Sequence, residues 1–304
     1  MAPTRRMPAC RRRTDPETDT RRIILARIEA SAHTVLVTGA TDGLGRAVAE
    51  RLAGQGATVL LHGRDTERLA AARVAIERAT GNGRLRTHLA DLASLDDVRA
   101  LADEVAASTD RLDVLVNNAG IGSGRPDATT RQESRDGHEL RFAVNFLAGA
   151  LLTLRLLGVL RRSAPARIVN VASLGQWPLD FGDVMLHDGY SGTRAYAQSK
   201  LAQITWGFEL ADRLAGDGVT VTSLHPGTYM PTKIVLEQAG RSVDTLETGV
   251  ESTVRLALAP ELEGVTGRFY DRTREARADE QAYDPDARRR LWDLTLALSG
   301  EPGP

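Results

Sequence analysis

The chain is poor in cysteine and in lysine. Cys10 is the only cysteine among 304 residues, so no intrachain disulfide can form, which fits a reducing, cytoplasmic compartment. Lys200 and Lys233 are the only lysines; almost all the basic charge is arginine. Lys200 therefore stands out, because an always-protonated, forked guanidinium could not replace its ammonium in tuning a neighbouring group. The formal net charge of −1 lacks the basic excess that a nucleic-acid partner would call for. The first 31 residues hold no continuous apolar region of the signal-peptide kind and nothing near the ~20 residues of a membrane span, so neither is expected. Asp180, Asp183, His187 and Asp188 follow no metal-ligand spacing, and no metal is expected.

What is present begins with a tail. Residues 1–31 scatter Arg5, Arg6, Arg11, Arg12, Arg13, Arg21 and Arg22 among Pro3, Pro8 and Pro16, which reads as a solvated, disordered extension. Residues 32–304 are long enough for one large α/β domain.

Tyr196 and Lys200 are four residues apart, ahead of the apolar run Leu201, Ala202, Ile204, Trp206 and Phe208. Helical spacing puts both on one helix face. A phenol titrates near ~10, too high for a base at neutral pH. An ammonium one turn away favours the phenolate, burial opposes it, and an attraction that wins by about 3 pKa units would bring proton exchange near pH 7. A Tyr-x-x-x-Lys pair on its own is equally an ordinary helix surface. Its weight depends on a cofactor site elsewhere in the chain.

That site comes early. The β-branched run Thr34–Thr38 leads into Gly39-Ala40-Thr41-Asp42-Gly43-Leu44-Gly45 and then a helical pattern at Ala47, Val48, Leu52 and Ala53. Strand, glycine turn and helix form the context of a dinucleotide-binding loop, with pyrophosphate at the helix N-terminus. A second strand, Thr58–Leu61, runs into His62-Gly63-Arg64. An acidic residue at this strand end would favour NAD by accepting from both ribose hydroxyls. Arg64 instead suits the 2′-phosphate of NADP, with Asp42 near enough to oppose it. NADP is thus the expected cofactor and NAD the alternative.

Further strands are expected at Leu85–Leu89, Leu112–Val116, Arg167–Ala172, Val219–Leu224 and Gly267–Tyr270, and helices at Thr66–Thr80, from Ser94, at Gly137–Arg162, after Ser191, at Leu246–Ala259 and at Asp286–Leu298. This alternation predicts a single doubly wound Rossmann-type domain, with a seven-stranded parallel sheet, helices on both faces and a small lid at Thr228–Asp244. The Gly137–Arg162 helix has almost no polar face, so it is buried in the monomer or pairs with a twin as a homodimer. Asn145 is the polar exception and needs partners. Ser173 follows the Arg167–Ala172 strand, where ligands bind in open sheets, though a serine there can equally be a cap.

Taken together, Thr38-Gly-x-x-x-Gly43-x-Gly45, Asn117-Asn118-Ala119-Gly120, Asn145, Ser173, Tyr196-x-x-x-Lys200 and Pro226-Gly227 resemble the short-chain dehydrogenase/reductase family, from Thr34 to the C-terminus. The long Ser173-to-Tyr196 gap, and the ending from Gly267-Arg-Phe-Tyr-Asp through Asp284-Pro-Asp to Leu291-Trp-Asp-Leu, look like its retinol dehydrogenase and protochlorophyllide reductase branch. The resemblance implies a catalytic set of Asn145, Ser173, Tyr196 and Lys200. Tyr196 would be the acid for carbonyl reduction or the base for alcohol oxidation. Lys200 would hold the nicotinamide ribose, Ser173 the substrate oxygen, and Asn145 a relay water. It places Asp91 and Leu92 by the adenine, and Asn118, Ala119 and Gly120 along the cofactor. Pro226, Gly227, Thr228 and Thr232 fall on the nicotinamide side, with Pro231 where a threonine is usual. The partner would be a small-molecule carbonyl or alcohol. Apolar walls at Trp177, Leu179, Phe181, Met185 and Leu186, and at Tyr229, Met230, Ile234, Val235 and Leu236, predict a bulky, apolar one. A non-catalytic NADP(H)-binding regulator or redox sensor is the alternative, but it would not need Tyr196 or Lys200.

Overall fold

Apolar runs without alternation mark strands that are covered on both faces. The first such run is β1 (Thr34–Val37), in which every residue is buried. The computed structural model describes residues 30–124, 130–230 and 243–303. The tail 1–29 and Thr232 therefore lie outside the described residues. After β1 come α1 (Gly43–Gly54), β2 (Thr58–Gly63), α2 (Thr66–Thr80), β3 (Leu85–Leu89), α3 (Leu95–Ser108) and β4 (Val114–Asn117). Then follow α4 (Leu140–Arg162), β5 (Ala166–Val171), α5 (Gly192–Arg213), β6 (Val219–His225), α6 (Leu246–Leu258), β7 (Arg268–Asp271), β8 (Arg274–Ala276) and α7 (Pro285–Ser299).

Local chemistry sets the helix starts. Asp42, Asp65, Ser94 and Ser191 each accept a first-turn N–H and so cap α1, α2, α3 and α5. Gly81, with φ 69°, ends α2 in the left-handed conformation.

The strands form one sheet in the order β3-β2-β1-β4-β5-β6-β7-β8. The order reverses between β1 and β4, and a crevice opens above such a switch point at the strands' C-terminal ends. All neighbouring strands are parallel except β7 and β8. The sheet thus has eight strands rather than the seven expected. The additional one is an antiparallel edge strand of three residues, Arg274 and Glu275 exposed and Ala276 half-buried, turned back at Arg272. So short a segment carries no periodic signal.

One apolar layer joins α3, α4, α5 and α7 to the sheet, and the other joins α1, α2 and α6. Trp206 of α5 stacks on Trp292 of α7 with ring centres 5.7 Å apart. Helix α4 is long and apolar enough to cross a membrane by composition, yet most of it is buried inside the fold, with Leu151, Leu152, Leu156 and Leu160 fully covered. Its first turns are interrupted by a π-helical segment, Ala143–Leu147, which holds Asn145.

Candidate active site

Helix α5 starts at its Ser191 cap beside the C-terminal ends of the central strands, which brings Tyr196 and Lys200 to the crevice. Lys200 is buried; its Nζ donates to the Val171 carbonyl at 2.8 Å and to Gln203 Oε1 at 3.4 Å. It lies 5.9 Å from the centre of the Tyr196 ring. Burial lowers its pKa to about 8, so the ammonium still dominates at neutral pH. Tyr196 keeps some contact with solvent as a residue, but burial around its hydroxyl pushes the phenol above its usual range, against the opposing pull of a hydrogen bond with Ser173. Of the two opposed influences the sequence left open, ammonium attraction and burial, burial is the larger on this phenol. The phenol keeps its proton.

Ser173 lies two residues past β5, with its Oγ accepting from the Gly175 N–H at 3.0 Å. Asn145 reaches the same region from the π-turn. Its Nδ2 donates to Ile121 O at 3.1 Å and Ser199 Oγ at 3.0 Å, while Oδ1 accepts from Ile121 N at 2.8 Å. The amide clamps the loop after β4 to α5. π-turns of this kind are frequent at functional sites.

The glycine loop lies across β1 from this cluster. Gly39 and Gly43 have φ of 67° and 52°. A Cβ at Gly45 would lie 2.3 Å from both Gly39 O and Asn118 Nδ2, so only glycine fits. Thr38 Oγ1 accepts from the N–H groups of Asn118 and Ala119, each at 2.9 Å, and Asn118 Nδ2 donates to Thr38 O at 2.8 Å. Asn118 thus ties the ends of β1 and β4 together. Thr41 is half-buried and Leu44 buried. Gly120 faces Asn145 and Lys200: a Cβ there would lie 3.2 Å from Asn145 Oδ1 and 3.6 Å from Lys200 Nζ. Beyond β3, Leu92 is buried and Asp91 accepts from Ala93 N at 3.1 Å.

Arg64 is exposed and has no ion-pair or hydrogen-bond partner among the described residues. Asp42 is not left to repel a phosphate, because it pairs with Arg68 at 2.9 Å. Sequence reasoning missed Arg68, although its position four residues after Arg64 at the start of a helix was a usable signal. On the other side, Pro226 and Gly227 are buried after β6. Thr228 N–H donates to Asp244 Oδ2 at 2.6 Å, and Arg272 grips the same carboxylate at 2.5 Å. The Thr228 hydroxyl meets His225 Nε2 at 3.1 Å. Arg272 and Asp244 were also missed; the hairpin tip that delivers Arg272, at φ 55°, has no sequence signature.

The acidic residues after β5 form a turn. Asp183 accepts from the N–H groups of His187 and Asp188, at 2.8 and 2.9 Å, which accounts for their spacing. The apolar residues of that stretch divide. Leu179 and Leu186 are buried and Phe181 and Met185 half-buried against the core, whereas Trp177 is 54% exposed. Past β6, Met230 is buried and Tyr229 is exposed; Ile234, Val235 and Leu236 lie outside the described residues.

The family model for short chain dehydrogenase matches residues 33–240. Retinol dehydrogenase 13 of Mus musculus is 38% identical over 284 residues, covering 88% of this chain and 84% of its own. Among solved structures, an uncharacterized protein from Mycobacterium paratuberculosis has a TM-score of 0.73 at 29% identity, over 90% of this chain and 95% of that one. The Pseudomonas aeruginosa RhlG/NADP active-site complex has a TM-score of 0.68 at 26% identity, over 81% of this chain and 96% of that one.

Proposed function

Since the chain belongs to the short-chain dehydrogenase family, on its retinol dehydrogenase-like branch, we propose that this oxidoreductase moves hydride between NADP(H) and the carbonyl/alcohol group of a bulky, largely apolar substrate. The observation that carries the reading is the convergence of Tyr196, Ser173 and Lys200 on the crevice, beside a glycine loop with no room for a side chain at Gly45.

The residues present fit a nicotinamide dinucleotide. The Gly45 cradle admits close approach of backbone, the α1 N-terminus favours phosphate, and Arg64 has a cation to spare. Bound there, the nicotinamide supplies or accepts the hydride. The chain's own groups handle the oxygen and its proton. Ser173 donates to the carbonyl oxygen as negative charge develops. Tyr196, its phenol held protonated by burial, delivers the proton to that oxygen. Lys200 keeps a cation one turn away, and in the oxidative direction that cation favours the phenolate.

Arg64 sets the preference for NADP in this reading. One or two charge-assisted bonds to the 2′-phosphate, at ~1.5–3 kcal/mol each, predict roughly tenfold or greater weakening of NADPH binding in Arg64→Ala. NADH binding stays nearly level. Equal losses for both coenzymes in a fluorescence titration, or a wild-type preference for NADH, would remove Arg64 from this role.

Substrate size follows from the crevice rim. Trp177, Leu174 and Tyr229 offer exposed apolar surface just past the C-terminal ends of β5 and β6, while Leu179, Leu186 and Met230 belong to the packing. The retinol in the relatives' name is a bulky, apolar alcohol, in keeping with this surface. Each methylene buried against such a rim contributes up to ~0.8 kcal/mol. With NADPH, kcat/KM should rise severalfold over the first few carbons of a straight-chain aldehyde series. A flat or falling series would leave only the reaction type.

A further inference from the structure

His62 sits near the end of β2, only 2% exposed, directly after the apolar run Val59–Leu61. Its two ring nitrogens face opposite partners. Nδ1 is 3.1 Å from the Gly39 N–H, and Nε2 is 3.2 Å from the Ala90 carbonyl oxygen. An N–H can only donate and a carbonyl can only accept. The ring must therefore be neutral, with its proton on Nε2 and an open lone pair on Nδ1. The backbone reinforces the same junction: Ala40 N donates to His62 O at 2.8 Å, and Ala90 N to Gly63 O at 3.1 Å.

One side chain thus spans three segments that are far apart in sequence: the glycine loop after β1, the end of β2, and the start of the Asp91–Leu92 corner after β3. In the dinucleotide reading, on which this inference rests, these are the segments around the adenosine half of the coenzyme. We propose that His62 is a positioning residue for the dinucleotide. It holds Gly39 in its left-handed conformation and holds Ala90 at a set distance from it, so the phosphate loop and the adenine wall keep one spacing whichever coenzyme binds.

The surroundings keep the ring neutral. His88 is its register neighbour on β3 and is tied to Glu104 at 2.9 Å; the Asp91 carboxylate acts on the ring in the opposite sense. Burial outweighs them and lowers His62 to about 4. A second proton would turn Nδ1 into a donor facing the Gly39 donor, so the bridge exists only in the neutral form.

The test is coenzyme titration, by reduced-nicotinamide fluorescence, of wild type, His62→Leu, His62→Gln and Arg64→Ala, each with a thermal melt. His62→Leu should weaken NADPH and NADH by the same factor, on the order of tenfold, whereas Arg64→Ala spares NADH. His62→Gln keeps a donor and an acceptor and should recover most of the loss. A wild type that binds coenzyme, with His62→Leu binding as tightly at a lowered Tm, would overturn the positioning role alone. A wild type that binds neither coenzyme would overturn the functional reading and this role with it. Should His62→Leu fail to fold, imidazole ¹⁵N spectra of the wild-type chain decide. The Nε2–H tautomer, titrating only near 4, is expected; a proton on Nδ1, or titration near ~6.5, would overturn the bridge.

Discussion

Replacing Tyr196 with phenylalanine is expected to abolish turnover while leaving coenzyme binding in place. The ring and its packing on α5 survive; the only atom lost is the one that carries the transferable proton. Burial holds that proton on the oxygen, and phenylalanine carries none in its place. Positioned acid–base catalysis contributes ~10²–10⁴-fold, and at least that loss is expected in kcat. Lys200 keeps its Val171 and Gln203 partners in the variant, so NADPH affinity should move little. Single-turnover reduction of an aldehyde with saturating NADPH reads the chemical step directly. A variant that turns over within a few-fold of wild type would take the proton from Tyr196 and return the site to a coenzyme-binding regulator.

Gly45→Ala is expected to produce the other large effect, on stability and coenzyme binding together. The added methyl would lie 2.3 Å from Gly39 O and from Asn118 Nδ2, and 3.0 Å from Gly39 C. Gly39 is backbone, and the Asn118 amide is held on Thr38 O at 2.8 Å, so neither can yield cheaply. Overpacking of this kind costs ~1–3 kcal/mol, which lowers Tm by several degrees in a domain of this size. Relief requires the start of α1 to shift off β1, which moves the N–H groups aimed at the phosphates. NADPH and NADH should then weaken alike, by well over about tenfold. Gly54→Ala is the control in the same helix, since a methyl there meets only Thr80 Cγ2 at 3.7 Å. Melts and titrations that cannot tell Gly45→Ala from Gly54→Ala would refute the close approach.

The sequence by itself determined the succession of strands and helices and the positions of the motifs within it. Strands covered on both faces must be apolar throughout, and helices must repeat every 3.6 residues, so each announces itself within a short window. The caps at Asp65, Ser94 and Ser191 act over three residues and are equally local. Tyr196 and Lys200 could be placed on one face because one helical turn fixes their separation.

Only the tertiary structure decided how those residues behave. Asp42 reads as a repulsive charge until a chain separation of 26 residues is closed and Arg68 pairs with it. Leu179 reads as a substrate wall until Gln281, 102 residues on, brackets its backbone N–H and carbonyl and draws it into the core, leaving Trp177 exposed. The Tyr196–Lys200 spacing left the phenol between ammonium attraction and burial; burial, set by strands and loops distant in sequence, raises it. His62 has no motif at all, and its tautomer follows from Gly39 and Ala90, 23 and 28 residues away. Periodicity and capping are properties of neighbours along the chain. Desolvation and charge pairing depend on distances in space, and these exist only once the sheet has assembled.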